Sequence, residues 1–236
     1  MTKPTLEPRA SQRVWSPMIA ITPDYNANED APAEATYCVR MNYASALADA
    51  GALPVILPYL SDRIDELIAR FDGFLISGSV PGVSTTCGRT DFELSLITAA
   101  ATAGKPVLGI CNGMQMIGLT LGSRLIDCLP LPGPGDIDHL PSPVPRATAH
   151  PVELSSGSRI GQLSQSTTVR VTSLHRQALE PRGRFHIAAR APDGVVEAIE
   201  GYGPGYLVGT QWHPEYQFTE FDKAVISDFV AAARGA

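Results

Sequence analysis

The sequence lacks most of the features that announce a nucleic-acid surface, an export signal or a covalent scaffold. Lysine is nearly missing, with three residues against fifteen arginines, which decides nothing by itself. The formal net charge of −6 and the absence of any Lys/Arg run do decide something: they exclude a general nucleic-acid binder, which needs a basic face. No apolar run approaches the roughly 20 residues that cross a bilayer, so no membrane partner is expected. The opening stretch, "MTKPTLEPRASQRVWSP", has no apolar core of the kind a secretory leader carries, and reads as a disordered or extended tail over residues 1–17. Cysteine is scarce as well. Cys38, Cys87, Cys111 and Cys128 form no C-x-x-C and no close pair, which argues for free thiols in a reducing cytoplasm. With no H-x-H, H-E-x-x-H or paired C-x-x-C, no metal site is expected.

What is present fits one soluble globular domain over residues 18–236, with 44% hydrophobic and 18% charged residues. Short apolar runs at 18–22, 54–58, 73–79 and 106–110 read as strands. Helical spacing lies between and after them, at 34–50, 61–70 (opened by a Ser61 cap), 91–103 and 113–121. Strands apolar on both faces, alternating with helices, indicate a parallel sheet covered on both sides. Past residue 128 the texture changes. The proline-rich segment 129–146 reads as a long loop. Strand-like runs follow at 151–154, 168–172, 185–190, 195–200 and 206–210, with "GYGPG" (201–205) as a hairpin turn and a closing helix over 219–233. The glycines of that turn are not a dinucleotide fingerprint, because no helix follows them.

Chemistry concentrates at two places. Gly-Ile-Cys-Asn-Gly (109–113) puts cysteine at the nucleophile position of a G-x-nucleophile-x-G strand-to-helix turn, whose crowded backbone needs flanks without Cβ atoms. There the helix dipole and its first N–H groups, that of Asn112 included, would favour a thiolate and face a developing oxyanion. The pentapeptide alone is equally compatible with a buried free cysteine in a tight turn. A nucleophile needs a base and the base an orienter. "VGTQWHPEY" (208–216) supplies His213 and Glu215, two apart after an apolar strand, on one side of an extended segment stiffened by Pro214. Alone, an H-x-E is most simply a surface pair; beside the elbow it becomes a candidate base with its orienter. His139, within the proline-rich loop, and His150, just after it, read as surface or loop-anchoring residues. His186 reads as part of an alternating edge strand, and His175 as a loop residue that lines the pocket in one of two open readings.

Once Cys111, His213 and Glu215 are assembled, the chain resembles the class I glutamine amidotransferase-like superfamily, and within it the γ-glutamyl-γ-aminobutyrate hydrolases of peptidase family C26. The resemblance runs from residue 18 to the C-terminus, on "YASALADAGALPVILP", "FDGFLISGS", "PVLGICNGMQMIGLTLGSRL", "GDIDH", "TSLHRQAL", "ARAPDGVVEAIE" and "VGTQWHPEY". It implies a flavodoxin-like three-layer αβα sandwich with a central, mostly parallel sheet. It also implies cleavage of a γ-glutamyl amide through a γ-glutamyl thioester, with Cys111 as nucleophile, His213 as base then acid, and Glu215 as orienter. The resemblance places oxyanion donors at Gly78, Ser79 and Asn112. It places the glutamyl end of the substrate against Gln115, Ser173, Leu174 and His175. It implies a small-molecule γ-glutamyl amide as the partner and no cofactor, and leaves open whether the chain is a homodimer. The competing reading is a glutaminase subunit delivering ammonia to a synthase, which shares the triad; "SLHRQ" and "APDGVVEAIE" favour the hydrolase. Two departures bear on the amine: the segment after Gly78-Ser79 is short and ends in Arg89-Thr90 where the family usually has Arg-Asp, and Arg176 follows the loop histidine where a small residue or histidine is frequent. Both are expected near the pocket mouth.

Overall fold

The computed structural model describes residues 15–26, 31, 34–79 and 88–235. Most of the expected N-terminal tail, most of the 79–92 segment and Cys87 therefore lie outside the described residues. Five strands form the parallel half of one sheet: β1 (Met18–Thr22), β4 (Leu53–Ile56), β5 (Gly73–Ile76), β6 (Val107–Ile110) and β13 (Leu207–Thr210). They lie in the order β4-β1-β5-β6-β13. The sheet continues antiparallel through β12 (Val196–Gly201), β11 (Phe185–Arg190), β8 (His150–Leu154) and β9 (Thr168–Val171). The hairpin expected at "GYGPG" joins β12 to β13.

Alternation along the strands divides the core. Ile19, Ile21, Leu75 and Leu108 face one side, where α1 (Met41–Asp49) and α6 (Glu220–Arg234) cover them with Leu47, Val225 and Phe229. Ala20, Phe74, Ile76 and Val107 face the other, under α2 (Ile64–Arg70), α3 (Arg89–Thr102) and α4 (Asn112–Thr120). Each large side chain buried this way contributes about 1.5–3 kcal/mol, which is what fixes the register of so many short strands. This is the three-layer αβα arrangement. Its parallel strands all end at one edge, at Thr22, Ile76, Ile110 and Thr210, and clefts in open α/β sheets form at that edge.

The differences from expectation are local. The helix expected from residue 34 begins at Met41. Before it, β3 (Thr36–Cys38) pairs with β2 (Asp24–Asn26). Tyr37 packs edge-on against Tyr25 and Tyr59, and those ring contacts outweigh the helical spacing. Ser61 makes no cap hydrogen bond, because Ser61–Arg63 is a 3-10 turn ahead of α2. His186 is not on an edge strand: β11 is flanked by β12 and β8, and the ring stands outward against Tyr202. A small ladder of β7 (Leu125–Ile126) with β10 (Ala178–Leu179), and the short helix α5 (Arg159–Gln162), left no readable signal. Among the described residues no helix is long and apolar enough to cross a membrane.

Candidate active site

Between β6 and α4 the chain makes a turn that only this sequence pattern tolerates. Cys111 sits at φ 55°, ψ −106°, a conformation costing a non-glycine residue about 1–3 kcal/mol. Two things hold it there. Its N–H donates to Thr210 O at 2.7 Å on the neighbouring strand, and its carbonyl accepts the Gln115 N–H at 3.2 Å as the first helical bond. The flanking glycines are obligatory: a Cβ on Gly109 would lie 2.4 Å from Gly113 O, and one on Gly113 would lie 2.0 Å from Ile76 O. Asn112 opens the helix, where its N–H has no carbonyl one turn back to bind.

His213 and Glu215 arrive from the adjacent strand. The residues after β13 are not simply extended, as the spacing suggested: Pro214–Tyr216 is a 3-10 turn with proline at its start. The turn still brings the pair together, with His213 Nδ1 2.8 Å from Glu215 Oε1 and both side chains buried. The other ring nitrogen, Nε2, is buried without a hydrogen-bond partner. A Cβ built on Gly78 would lie 3.3 Å from His213 Cε1 and 3.4 Å from Cys111 Cβ, so ring and thiol flank the same point. Burial pulls the His213 imidazole down, but Glu215 and Cys111 outweigh it and push it up to about 10. Such an imidazolium is ready to give a proton to a leaving group.

These groups open onto a cavity of about 600 Å³ whose wall includes Gly78, Ser79, Gln115, Leu174, His175 and Arg176. The structure thus gathers nearly all the expected site residues, with three adjustments. Gly78 N–H is not idle: it donates to the Tyr43 hydroxyl at 3.0 Å. Ser173 does not line the cavity, because its buried hydroxyl is spent on His139 O at 2.7 Å. Arg89 carries no charge to the mouth. It is buried, pairs with Glu93 and Asp24 at 2.9 Å each, and donates to Ser77 O, tying α3 to the end of β5. Tyr43 and Gln211 were missed as single residues. Gln211 Nε2 lies 3.6 Å from Cys111 Sγ, and its Oε1 accepts from Gln115 Nε2 at 3.2 Å. The glutamine in "QWHPE" was visible, but nothing local said that it faces the thiol.

His139 and His150 are not surface residues. With His175 they are buried around Glu197, which lies on β12. Their ligand atoms lie within 4.8 Å of one another, so this group could hold a metal ion, and its members come from separate segments that no spacing rule links.

Comparison with known proteins identifies the family and the fold. The family model described as peptidase C26 matches residues 17–215. The γ-glutamyl-γ-aminobutyrate hydrolase PuuD of Escherichia coli K12 is 27% identical over 224 residues, covering 85% of this chain and 88% of its own. The glutamine amidotransferase-like protein YvdE of Lactococcus lactis is 30% identical over 226 residues, covering 87% and 94%. Among solved structures, the acivicin-bound glutaminase domain of Trypanosoma brucei CTPS aligns with TM-score 0.68 at 19% identity, over 93% of this chain and 94% of that one. A GMP synthase protein of Thermoplasma acidophilum aligns with TM-score 0.67 at 18% identity, over 94% and 96%. The chain belongs to the peptidase C26 family, hydrolases built on the class I glutamine amidotransferase-like fold.

Proposed function

We propose that the chain hydrolyses the γ-glutamyl amide bond of a γ-glutamylated amine through a γ-glutamyl thioester, releasing glutamate and the amine. The observation that carries this reading is the strained Cys111 elbow sharing one cavity with the buried His213–Glu215 pair. Cys111 Sγ attacks the amide carbon, and the oxygen that becomes negative is met by the Asn112 N–H at the head of α4. Gly78 N–H joins once its Tyr43 partner yields. His213 gives its proton to the amide nitrogen, the C–N bond breaks and the amine leaves. Water then loses a proton to His213 and attacks the thioester carbon; the C–S bond breaks, glutamate departs and the thiolate returns. Glu215 holds the imidazole through Nδ1 and offsets its charge.

Gln115 supports the glutamyl end. Its Nε2 is committed to Gln177 O and Gln211 Oε1, while Oε1 is buried without a partner and free to accept from an α-ammonium group. The amine half faces a broader wall, where Arg176 is paired with Asp138 at 3.3 Å. A site that hydrogen-bonds one half and only encloses the other reads the first strictly and the second loosely. The test is glutamate release from γ-glutamyl-γ-aminobutyrate, γ-glutamyl polyamines, γ-glutamyl alkylamines, γ-glutamylanilide and glutamine, with α-glutamyl and β-aspartyl amides as controls. Several γ-glutamyl amines are expected to turn over and the controls not to. Comparable rates for β-aspartyl and γ-glutamyl amides of one amine would overturn the reading. Glutamine cleavage dependent on an added synthase would favour a glutaminase subunit instead.

A further inference from the structure

We propose that His139, His150, His175 and Glu197 form a structural divalent-metal site of the zinc class, behind the wall of the catalytic cavity. The four come from different places: the proline-rich loop, the first residue of β8, the loop after β9, and β12. All are at least nine-tenths buried. Each ring turns one nitrogen outward to a group that can only accept: His139 Nε2 to Asp193 Oδ2 at 2.9 Å, His150 Nδ1 to Pro151 O at 3.1 Å, and His175 Nδ1 to Gln177 O at 3.0 Å. The outward nitrogens must therefore carry the protons, and each inward nitrogen presents a lone pair.

Three lone pairs and a carboxylate then converge on one point, an arrangement that repels itself unless a cation lies among them. His139 Nδ1, His150 Nε2, His175 Nε2 and both Glu197 oxygens are buried, and none makes a hydrogen bond of acceptable geometry. The carboxylate-to-ring spacing is that of ligands around an ion, and all four ligand atoms lie within 4.8 Å of one another. Glu197 Oε1 lies 3.2, 3.5 and 3.5 Å from the three inward nitrogens. Ligands 2.0–2.1 Å from a tetrahedral zinc stand about 3.3 Å apart. Three imidazoles and a carboxylate suit zinc, and the Asp193–His139 contact is the carboxylate–histidine pairing that orients metal-bound rings. The charges also close: a dication is balanced by Glu197 directly and by Asp193 through His139.

The ion would clip the proline-rich loop to the sheet and stiffen the 173–177 wall. His139 O accepts from Ser173 Oγ and His175 N, and Gln177 O accepts from both His175 and Gln115. His175 also belongs to the cavity wall, but among the described residues no hydrogen bond or ion pair joins the four ligands to Cys111, so the ion's role is structural. Its test needs no activity. Wild-type chain and Cys111→Ser, purified and dialysed against metal-free buffer, are assayed by elemental mass spectrometry. After chelator treatment, zinc is titrated back while the melting temperature is followed. One metal per chain in both proteins, with a melting temperature that falls on chelation and recovers at one equivalent of zinc, is expected. Glu197→Gln, nearly the same shape, should bind zinc at least tenfold more weakly, and zinc-edge anomalous diffraction from wild-type crystals should peak between the four side chains. Two results overturn the proposal. One is wild-type chain that neither retains nor takes up zinc, manganese, iron, cobalt or nickel, which would make the cluster a proton-bridged network. The other is bound metal that disappears in Cys111→Ser and persists in Glu197→Gln.

Discussion

At the scale of single residues, the site turns on charge placement. Glu215 and Cys111 keep a proton on His213 up to about pH 10 although the ring is fully buried. Because the folded value lies above the ordinary 6.5, this contribution to stability is fully present below that pH and is lost as pH rises through about 10. The proposed chemistry needs the same proton for the leaving amine. The rate of acylation should therefore decline on the alkaline side, with a midpoint near 10 that Glu215→Gln moves downward. His213→Ala should lose several orders of magnitude in kcat, and Glu215→Gln substantially less, since its amide keeps the shape but not the charge. Steady-state pH profiles of the three proteins check both points; an unmoved alkaline limb in Glu215→Gln would refute the coupling. Cys111 and the H-x-E pair were legible because each is a local pattern with a geometric reason. Arg89 was not: its burial is decided by Asp24 and Glu93, which the fold brings to it.

At the scale of elements, backbone crowding and caps carry the argument. A Cβ on Gly113 would sit 2.0 Å from the Ile76 carbonyl, whereas one on Gly104 meets nothing within 4 Å and only faces its φ of +72°. Gly113→Ala should destabilise by about 3 kcal/mol or more by forcing α4 off β5, against about 1 kcal/mol for Gly104→Ala. Urea denaturation separates these values. The cap of α6 offers a second test. Thr219 Oγ1 accepts from Asp222 N–H, and the Asp222 carboxylate accepts from Thr219 N–H, both at 3.1 Å. Burial nevertheless pushes Asp222 up to about 6, with Glu215 adding to the rise. An acid raised in the folded state stabilises below its unfolded value and loses that contribution as pH climbs from about 4 to about 6. Asp222→Asn keeps an acceptor for the cap and has no such titration. Its stability relative to wild type should rise across that interval, as urea midpoints at the two pH values would register; a constant difference would contradict the assignment. Strand–helix alternation was readable because both faces of each parallel strand are apolar. The β2–β3 hairpin was not, because Thr36–Cys38 is held by aromatic contacts distant in sequence.

At the scale of the whole molecule, the parallel half of the sheet supplies the reacting groups and the antiparallel half supplies a wall. β6 and β13 end at the nucleophile and at the strand leading to the base. β12, β8 and the proline-rich loop gather Glu197, His150 and His139 behind residues 173–177, from which His175 joins them. The first half was visible in sequence because each element announces its own residue. The second was not, since its four members acquire meaning only when the sheet assembles. Everything in the proposed chemistry passes through one covalent species, a γ-glutamyl group on Cys111. The most direct measurement is therefore rapid acid quenching of the chain during turnover of a γ-glutamyl amide, followed by peptide mass spectrometry. The result expected is a glutamyl thioester on the Cys111 peptide, formed before steady state, accumulating in neither Cys111→Ala nor His213→Ala. Glutamate release that continues in Cys111→Ala, with no acylated cysteine in the wild type, would contradict it.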